Sequence, residues 1–287
     1  SEANFLVFYS MLRPSDDVIV ERPGYQPLWL TPQSLGANII FCDRDPNDSF
    51  SVDINVLQEC LTARTRLIIL TNLHNPTGTY LSNDVVKQVS NLAKDSNCSV
   101  LIDEIFLDGC FTPRPSAAGL PHVIVTSSMT KIYGLGGLRS GWIIASEEQA
   151  EHFQTAKAHT TVGSSMLSEH MCAAVLQHAR EQLKSRFLVQ AKTNFKTVKT
   201  WVLQNKHIVD WIEPHGGLFC FIRYHSHHSS EQLCVRLVKE KGVLVCPGSF
   251  FGLDGFFRLS YNCDPNKLQE ALERIKEFLE LMAISRN

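Results

Sequence analysis

The sequence predicts an α/β protein, with a mostly parallel sheet in a three-layer α/β/α large domain and a smaller α+β domain at the C-terminal end. Three observations predict it. Between residues 18 and 145, short β-branched runs alternate with helical patterns. Those runs lack polar/apolar alternation, as strands covered on both faces do. After about residue 146 the texture changes to long helical stretches through Trp201, and then to a mixed unit of strands and helices.

The chain opens on "SEANFLVFYSML", which reads as a helix already under way, followed by a polar turn containing Pro14. Strands are expected at 18–21 ("VIVE"), 38–42 ("NIIFC"), 66–70 ("RLIIL"), 99–103 ("SVLID"), 122–127 ("HVIVTS") and 141–146 ("GWIIAS"). Between them, Val85, Val89, Leu92 and Ala93 fall at helical spacing behind a Ser82 cap. In the second unit, "GLFCFI", "VLVC" and "FFRLSY" read as strands and "SEQLCVRLVKEKG" as a helix. The last helix has Asp264 as cap, Pro265 in its first turn, and an apolar stripe of Leu268, Leu272, Ile275 and Leu279. The domain division expected is 1–155 for the large domain and 156–287 for the interdomain helices and small domain.

Composition narrows the function. The 287 residues are 44% hydrophobic and 20% charged with a formal net charge of −2, an ordinary globular balance. No block of like charge offers a footprint for nucleic acid or an anionic membrane, and no apolar run is long enough to cross a bilayer. Nine cysteines are scattered without any C-x-x-C pair. Reduced thiols in a cytoplasmic protein are therefore expected, with neither a metal site nor a disulfide framework.

In an open parallel sheet, ligands collect beyond the carboxyl ends of the strands. Polar stretches follow three of them: "TNLHNPTG" after "LIIL", "DEIF" after "SVLI", and "SSMTK" after "HVIVT". Taken singly, each has an ordinary explanation. "NPTG" suits a turn, Asp103 a helix cap, and Lys131 the surface. Turn chemistry does not account for all three together. The glycines at 134, 136, 137 and 141 do not make a G-x-G-x-x-G dinucleotide fingerprint, which ranks a nicotinamide enzyme last.

"HNPTG" (74–78), "DEIF" (103–106), "SSMTK" (127–131), "GGLRSGW" (136–142), "PHGGLF" (214–219) and "FFRLS" (256–260) stand in the order and at the separations of a known family. The chain resembles, over nearly its whole length, the fold-type I enzymes that use pyridoxal 5'-phosphate, specifically the class I/II aminotransferases. The resemblance implies that Lys131 forms the Schiff base with the cofactor aldehyde and later moves the Cα proton. It makes Asp103 the carboxylate that pairs with the pyridine nitrogen and Asn75 the donor to the ring's 3′ oxygen. Ser128 and Arg139 become phosphate anchors, joined by Ser1, since "SEAN" resembles the continuation of the family's phosphate-binding turn. Tyr25, in "ERPGYQP", becomes the aromatic stacked on the ring, and Arg258 the grip on the substrate α-carboxylate, with Asn75 also among the substrate-binding residues. His74, Glu104 and Tyr133 are expected to support or pack and not to catalyse.

Phe106 departs from the pattern, because the family often has there a tyrosine that donates to the 3′ oxygen. Its absence should leave the protonated Schiff base more favoured and raise its pKa. The family also carries a segment ahead of the position of Ser1, which completes the phosphate turn and reaches a partner subunit's site. The expected activity is transfer of an amino group between an α-amino acid and an α-keto acid, in a homodimer with active sites near the interface. Two alternatives remain open. One is a lyase eliminating a β-substituent, or a related synthase, on the same fold. The other is a non-catalytic, truncated homologue that binds the cofactor or dimerises.

Overall fold

The computed structural model describes residues 1–284. Its first sheet contains β1 (Asp17–Arg22), β2 (Asn38–Asp43), β3 (Thr65–Thr71), β4 (Ser99–Asp103), β5 (Val123–Ser128) and β6 (Gly141–Ile144). Their spatial order is β2-β1-β3-β4-β5-β6, parallel throughout except for β6, which runs antiparallel to β5.

Side-chain alternation along these strands builds two cores. Ile19, Ile68, Leu70, Val100, Ile102 and Val125 face one way, against Leu57 of α3 (Ile54–Glu59) and Val86, Val89 and Ala93 of α4 (Asn83–Asp95). Val18, Val20, Leu67, Ile69, Leu101 and Ile124 face the other way. They meet Val7 and Phe8 of α1 (Glu2–Met11), Leu28 of α2 (Pro27–Ser34) and Phe153 of α5 (Glu147–Thr160). Helices on both faces make the three layers, and each fully buried aliphatic contributes about 1.5–3 kcal/mol.

The chain then continues through α6 (Met166–His178) and α7 (Arg180–Gln204) into a second sheet. This sheet is antiparallel, with order β7-β8-β10-β9 from β7 (Val209–Trp211), β8 (Phe219–Tyr224), β9 (Cys246–Pro247) and β10 (Phe256–Ser260). It packs on α7, α8 (Ser230–Lys241) and α9 (Pro265–Ile284) through Phe187, Val198, Leu237, Leu268, Leu272, Ile275 and Leu279. The same core takes in Leu73, Phe106 and Ile132 from loops of the first sheet, so one apolar continuum joins the two units.

The expected caps are present. Ser82 accepts from the Val85 N–H, and Asp264 accepts from the N–H groups of Asn266 and Lys267. The apolar stripe of α4 is rotated slightly from expectation: Val86, Val89 and Ala93 are buried, while Val85 and Leu92 are half-buried. The strand expected at 243–246 is reduced to Cys246–Pro247. Val243 and Val245 are still buried, so their apolar character reports packing and not ladder pairing. The strand expected from 217 begins at Phe219, because Gly217 sits at φ +87 and breaks the extended run.

Candidate active site

The carboxyl ends of β3, β4 and β5 open on a cavity of about 950 Å³. Tyr25, Asn75, Asp103, Ser128, Lys131, Arg139, Arg258 and Ser1 all line it. Every site residue expected from the sequence therefore meets at one place, although Ser1 and Arg258 lie at opposite ends of the chain.

Asp103 ends β4 and is buried, at 8% exposure. Its Oδ1 accepts from the Ile105 N–H at 3.0 Å and its Oδ2 from the Asn4 amide at 2.9 Å. Burial pushes its pKa up, against these donors and the nearby Lys131 charge. Lys131 follows β5 on the exposed rim. In the same turn the Ser128 hydroxyl pairs with that of Thr130 at 2.7 Å and accepts from the Thr130 N–H. Gly134 turns the chain at φ +71, and Arg139 lies in the left-handed region at φ +53, its guanidinium donating to the Gly136 carbonyl. At Gly141 a Cβ would stand 2.7 Å from the Ser127 carbonyl, so the close pairing of β5 with β6 beside Ser128 requires glycine.

Arg258, on β10, reaches back from the second sheet. Its Nη1 donates to Asn75 Oδ1 at 2.9 Å, and its guanidinium lies over the rings of Phe219 and Phe251. With Oδ1 thus engaged, the Asn75 amide nitrogen is left to donate into the cavity. Tyr25 is 39% exposed at the mouth.

A buried network holds the Tyr25 and Asn75 loops together. His74 is fully buried, with Nε2 2.8 Å from the Pro23 carbonyl and Nδ1 2.7 Å from the Thr77 hydroxyl. Nε2 must donate to that carbonyl, so a neutral ring accepts from Thr77 at Nδ1. Burial drives the His74 pKa well down, consistent with a neutral ring. Glu21 Oε1 accepts from both the N–H and the hydroxyl of Thr71, whose oxygen in turn accepts from the Asn75 N–H. Arg44 stands 3.4 Å from Glu21, yet burial outweighs their attraction: Glu21 is shifted up and Arg44 down.

Glu104 accepts from Ser116 and the Ala117 N–H, and Tyr133 donates to Asp108; both hold neighbouring segments. Asn4, Thr126, Glu21 and Thr71 carry no chemical signal of their own in the sequence. Asn4 is the last letter of "SEAN" and Thr126 stands just ahead of "SSMTK", while Thr71 opens "TNLHNPTG" and Glu21 opens "ERPGYQP".

A family model described as aminotransferase class I and II matches residues 1–275. The chain belongs to the class I and II aminotransferases. Capreomycidine synthase of Streptomyces vinaceus is 30% identical over 282 residues, covering 97% of this aminotransferase chain and 72% of that protein. Aspartate aminotransferase of Thermotoga maritima is 26% identical, covering 97% of this chain and 73% of its own. A crystal structure of an aspartate aminotransferase from Thermotoga maritima superposes with TM-score 0.91 at 25% identity, covering 97% of this chain and 74% of that one. A pyridoxal-phosphate-dependent aminotransferase from Streptococcus suis gives 0.88 at 26%, covering 98% and 75%.

The cofactor of this aminotransferase family is pyridoxal 5'-phosphate, and the cavity fits it. A lysine amine, a buried carboxylate held by N–H donors, and an arginine with hydroxyls suit an aldehyde, a basic ring nitrogen and a phosphate respectively.

Proposed function

We propose that this chain moves an amino group between an α-amino acid and an α-keto acid, with Lys131 holding the cofactor and carrying the proton. The observation that supports this most directly is the convergence of Lys131, Asp103, Asn75 and Arg258 on one cavity. When bound, pyridoxal phosphate supplies an electron-withdrawing ring that stabilises negative charge at the substrate Cα.

The chain's own residues then have separate tasks. Asp103, ionised, keeps a proton on the ring nitrogen. Lys131 Nζ, which would hold the cofactor aldehyde, would when free take the proton from the substrate Cα and deliver it to the cofactor's C4′. Arg258, fixed by Asn75 and two aromatic faces, presents its remaining N–H groups to the α-carboxylate and so fixes the orientation of the Cα–H bond. Asn75 Nδ2 donates toward the cofactor's 3′ oxygen, Tyr25 covers the ring, and Ser128, Arg139 and Ser1 take the phosphate.

A second reading has one specific support, the 30% identical relative named a synthase. It keeps the same residues and ends in elimination or synthesis. Incubating the holoprotein with amino-acid donors separates the two: keto-acid-dependent amino transfer supports the first, and release of keto acid with ammonia the second. A borohydride-reducible adduct at Lys131 tests both, because its absence defeats either reading.

We assign the chain to a homodimer. No residue of α6 is buried, and Met166, Leu167 and Met171 are 76%, 74% and 47% exposed beside Cys172, Ala173 and Leu176, which line the cavity. A second copy on this face would place the interface next to the site; a monomer by sedimentation counts against it. The nine free cysteines support a reducing, cytoplasmic setting. The division into 1–155 and 156–287 is retained, with one sheet on each side of it.

A further inference from the structure

We propose that Thr126 and Asn4 form a positioning relay for Asp103, orienting its carboxylate and favouring its charge through uncharged hydrogen-bond donors. The proposal rests on the reading of Asp103 as partner of the cofactor's ring nitrogen.

The relay has one direction. The Thr126 hydroxyl donates to Asn4 Oδ1 at 2.6 Å, and Asn4 Nδ2 donates to Asp103 Oδ2 at 2.9 Å. A carboxylate only accepts, so the amide cannot be turned round without setting its oxygen against an anion. All three residues are buried, at 2%, 8% and 8% exposure, where the dielectric is low and a hydrogen bond to charge is strong.

Topology builds the arrangement. Asp103 and Thr126 are register partners on the parallel strands β4 and β5, so their side chains leave the sheet on the same face. Alternation from Leu101 and Ile124 makes that the face covered by α1, and Asn4 projects from the first turn of α1. Its buried neighbours there are Leu6, Val7 and Phe8. A buried amide among apolar side chains is unfavourable unless both of its ends are bonded, and here both are.

The uncharged character of the donors matters. A lysine or arginine in place of Asn4 would also favour the carboxylate, but would cancel the field that Asp103 offers to a protonated ring. An amide stabilises the anion and leaves its charge whole. Because Thr126 lies five residues before Lys131 on the same strand and loop, the relay also ties the acid to the segment carrying the amine.

The test compares two ligands on the unloaded protein, followed by quenching of tryptophan fluorescence, with Trp142 in the cavity wall. One ligand is pyridoxal phosphate; the other is its carbocyclic analogue, with C–H in place of the ring nitrogen. Thr126→Val and Asn4→Leu should weaken pyridoxal phosphate about tenfold. They should leave the analogue within about twofold of wild type, and Thr126→Ser should restore the difference. Equal loss for both ligands would reduce the relay to packing and overturn it, as would no loss for either. Wild type binding neither ligand would defeat the reading of the site itself and the relay with it. Analogue binding also reports that each variant has folded.

Discussion

Arg258 and Asn75 stand 183 residues apart in sequence and share a 2.9 Å hydrogen bond across the gap between the two sheets. The bond orients both partners. It fixes which end of the Asn75 amide faces the cavity and leaves the guanidinium nitrogens beyond Nη1 for a ligand.

Replacing Arg258 by glutamine removes a bidentate charged grip and keeps a polar side chain. The KM for the amino-acid donor should rise about 100-fold, with a smaller fall in kcat. Arg258→Lys should recover only part of this, since an ammonium is a point charge without the planar fork. Steady-state kinetics with one donor across the three proteins checks it; an unchanged KM would remove Arg258 from substrate binding.

Lys131→Ala should abolish borohydride-stable attachment of pyridoxal phosphate and lower turnover by at least about 10⁴-fold. Mass spectrometry of the reduced, digested protein locates the adduct. An adduct on another lysine with turnover intact would refute the assignment.

Phe106 packs edge-on against Phe219, with ring centroids 4.9 Å apart, and brings no hydroxyl to the cavity. In Phe106→Tyr the new O–H competes for the oxygen that stabilises the protonated form. The pH midpoint of the visible absorption band should therefore fall by about one unit from its wild-type value. Band titration of the two holoproteins decides it, and a midpoint that rises contradicts the argument.

His74 is held neutral, its folded pKa well below the ordinary value. Above an unfolded pKa of about 6.5, folded and unfolded states are alike at this residue. As pH falls below that, the unfolded chain takes up a proton that the folded one refuses, and stability is lost toward the folded pKa. His74→Gln removes this linkage. The drop in Tm between about pH 7 and about pH 5 should be shallower in the variant, whatever its absolute Tm. Parallel slopes by calorimetry would contradict it.

Gly141→Ala drives a methyl to within 2.7 Å of the Ser127 carbonyl. Forcing β5 and β6 apart should cost about 1–3 kcal/mol in urea unfolding and weaken cofactor binding through Ser128. A neutral result would show that the two strands separate freely there.

The residues that carry chemistry were legible because each sits in a short, contiguous stretch at a strand end. Lys131, Asp103, Asn75 and Arg139 needed only local order for the motifs to stand out. What holds them was not legible. Thr126 meets Asn4 only because β4 and β5 pair in one register and α1 covers that face. The bonding of His74 to the Pro23 carbonyl depends on two loops folding against each other. The short strand β7, and α2 with Pro32 inside it, give weak signals, since three residues set no periodicity and an internal proline argues against a helix. The 243–246 run misled because burial without pairing looks the same as burial within a ladder.

Arg258 is carried by one sheet, and Asp103 by the other, with Lys131 in the turn that follows β5. An aromatic cluster packs between the two units on the side of Arg258. Phe50, just past β2, lies 5.9 Å from Phe256 and 6.2 Å from Phe221, and those two rings stack at 4.7 Å. Phe221 is the register partner of Arg258 and Phe256 shares its strand, so the ring contacts with Phe50 brace the strand that carries Arg258 from outside the cavity wall.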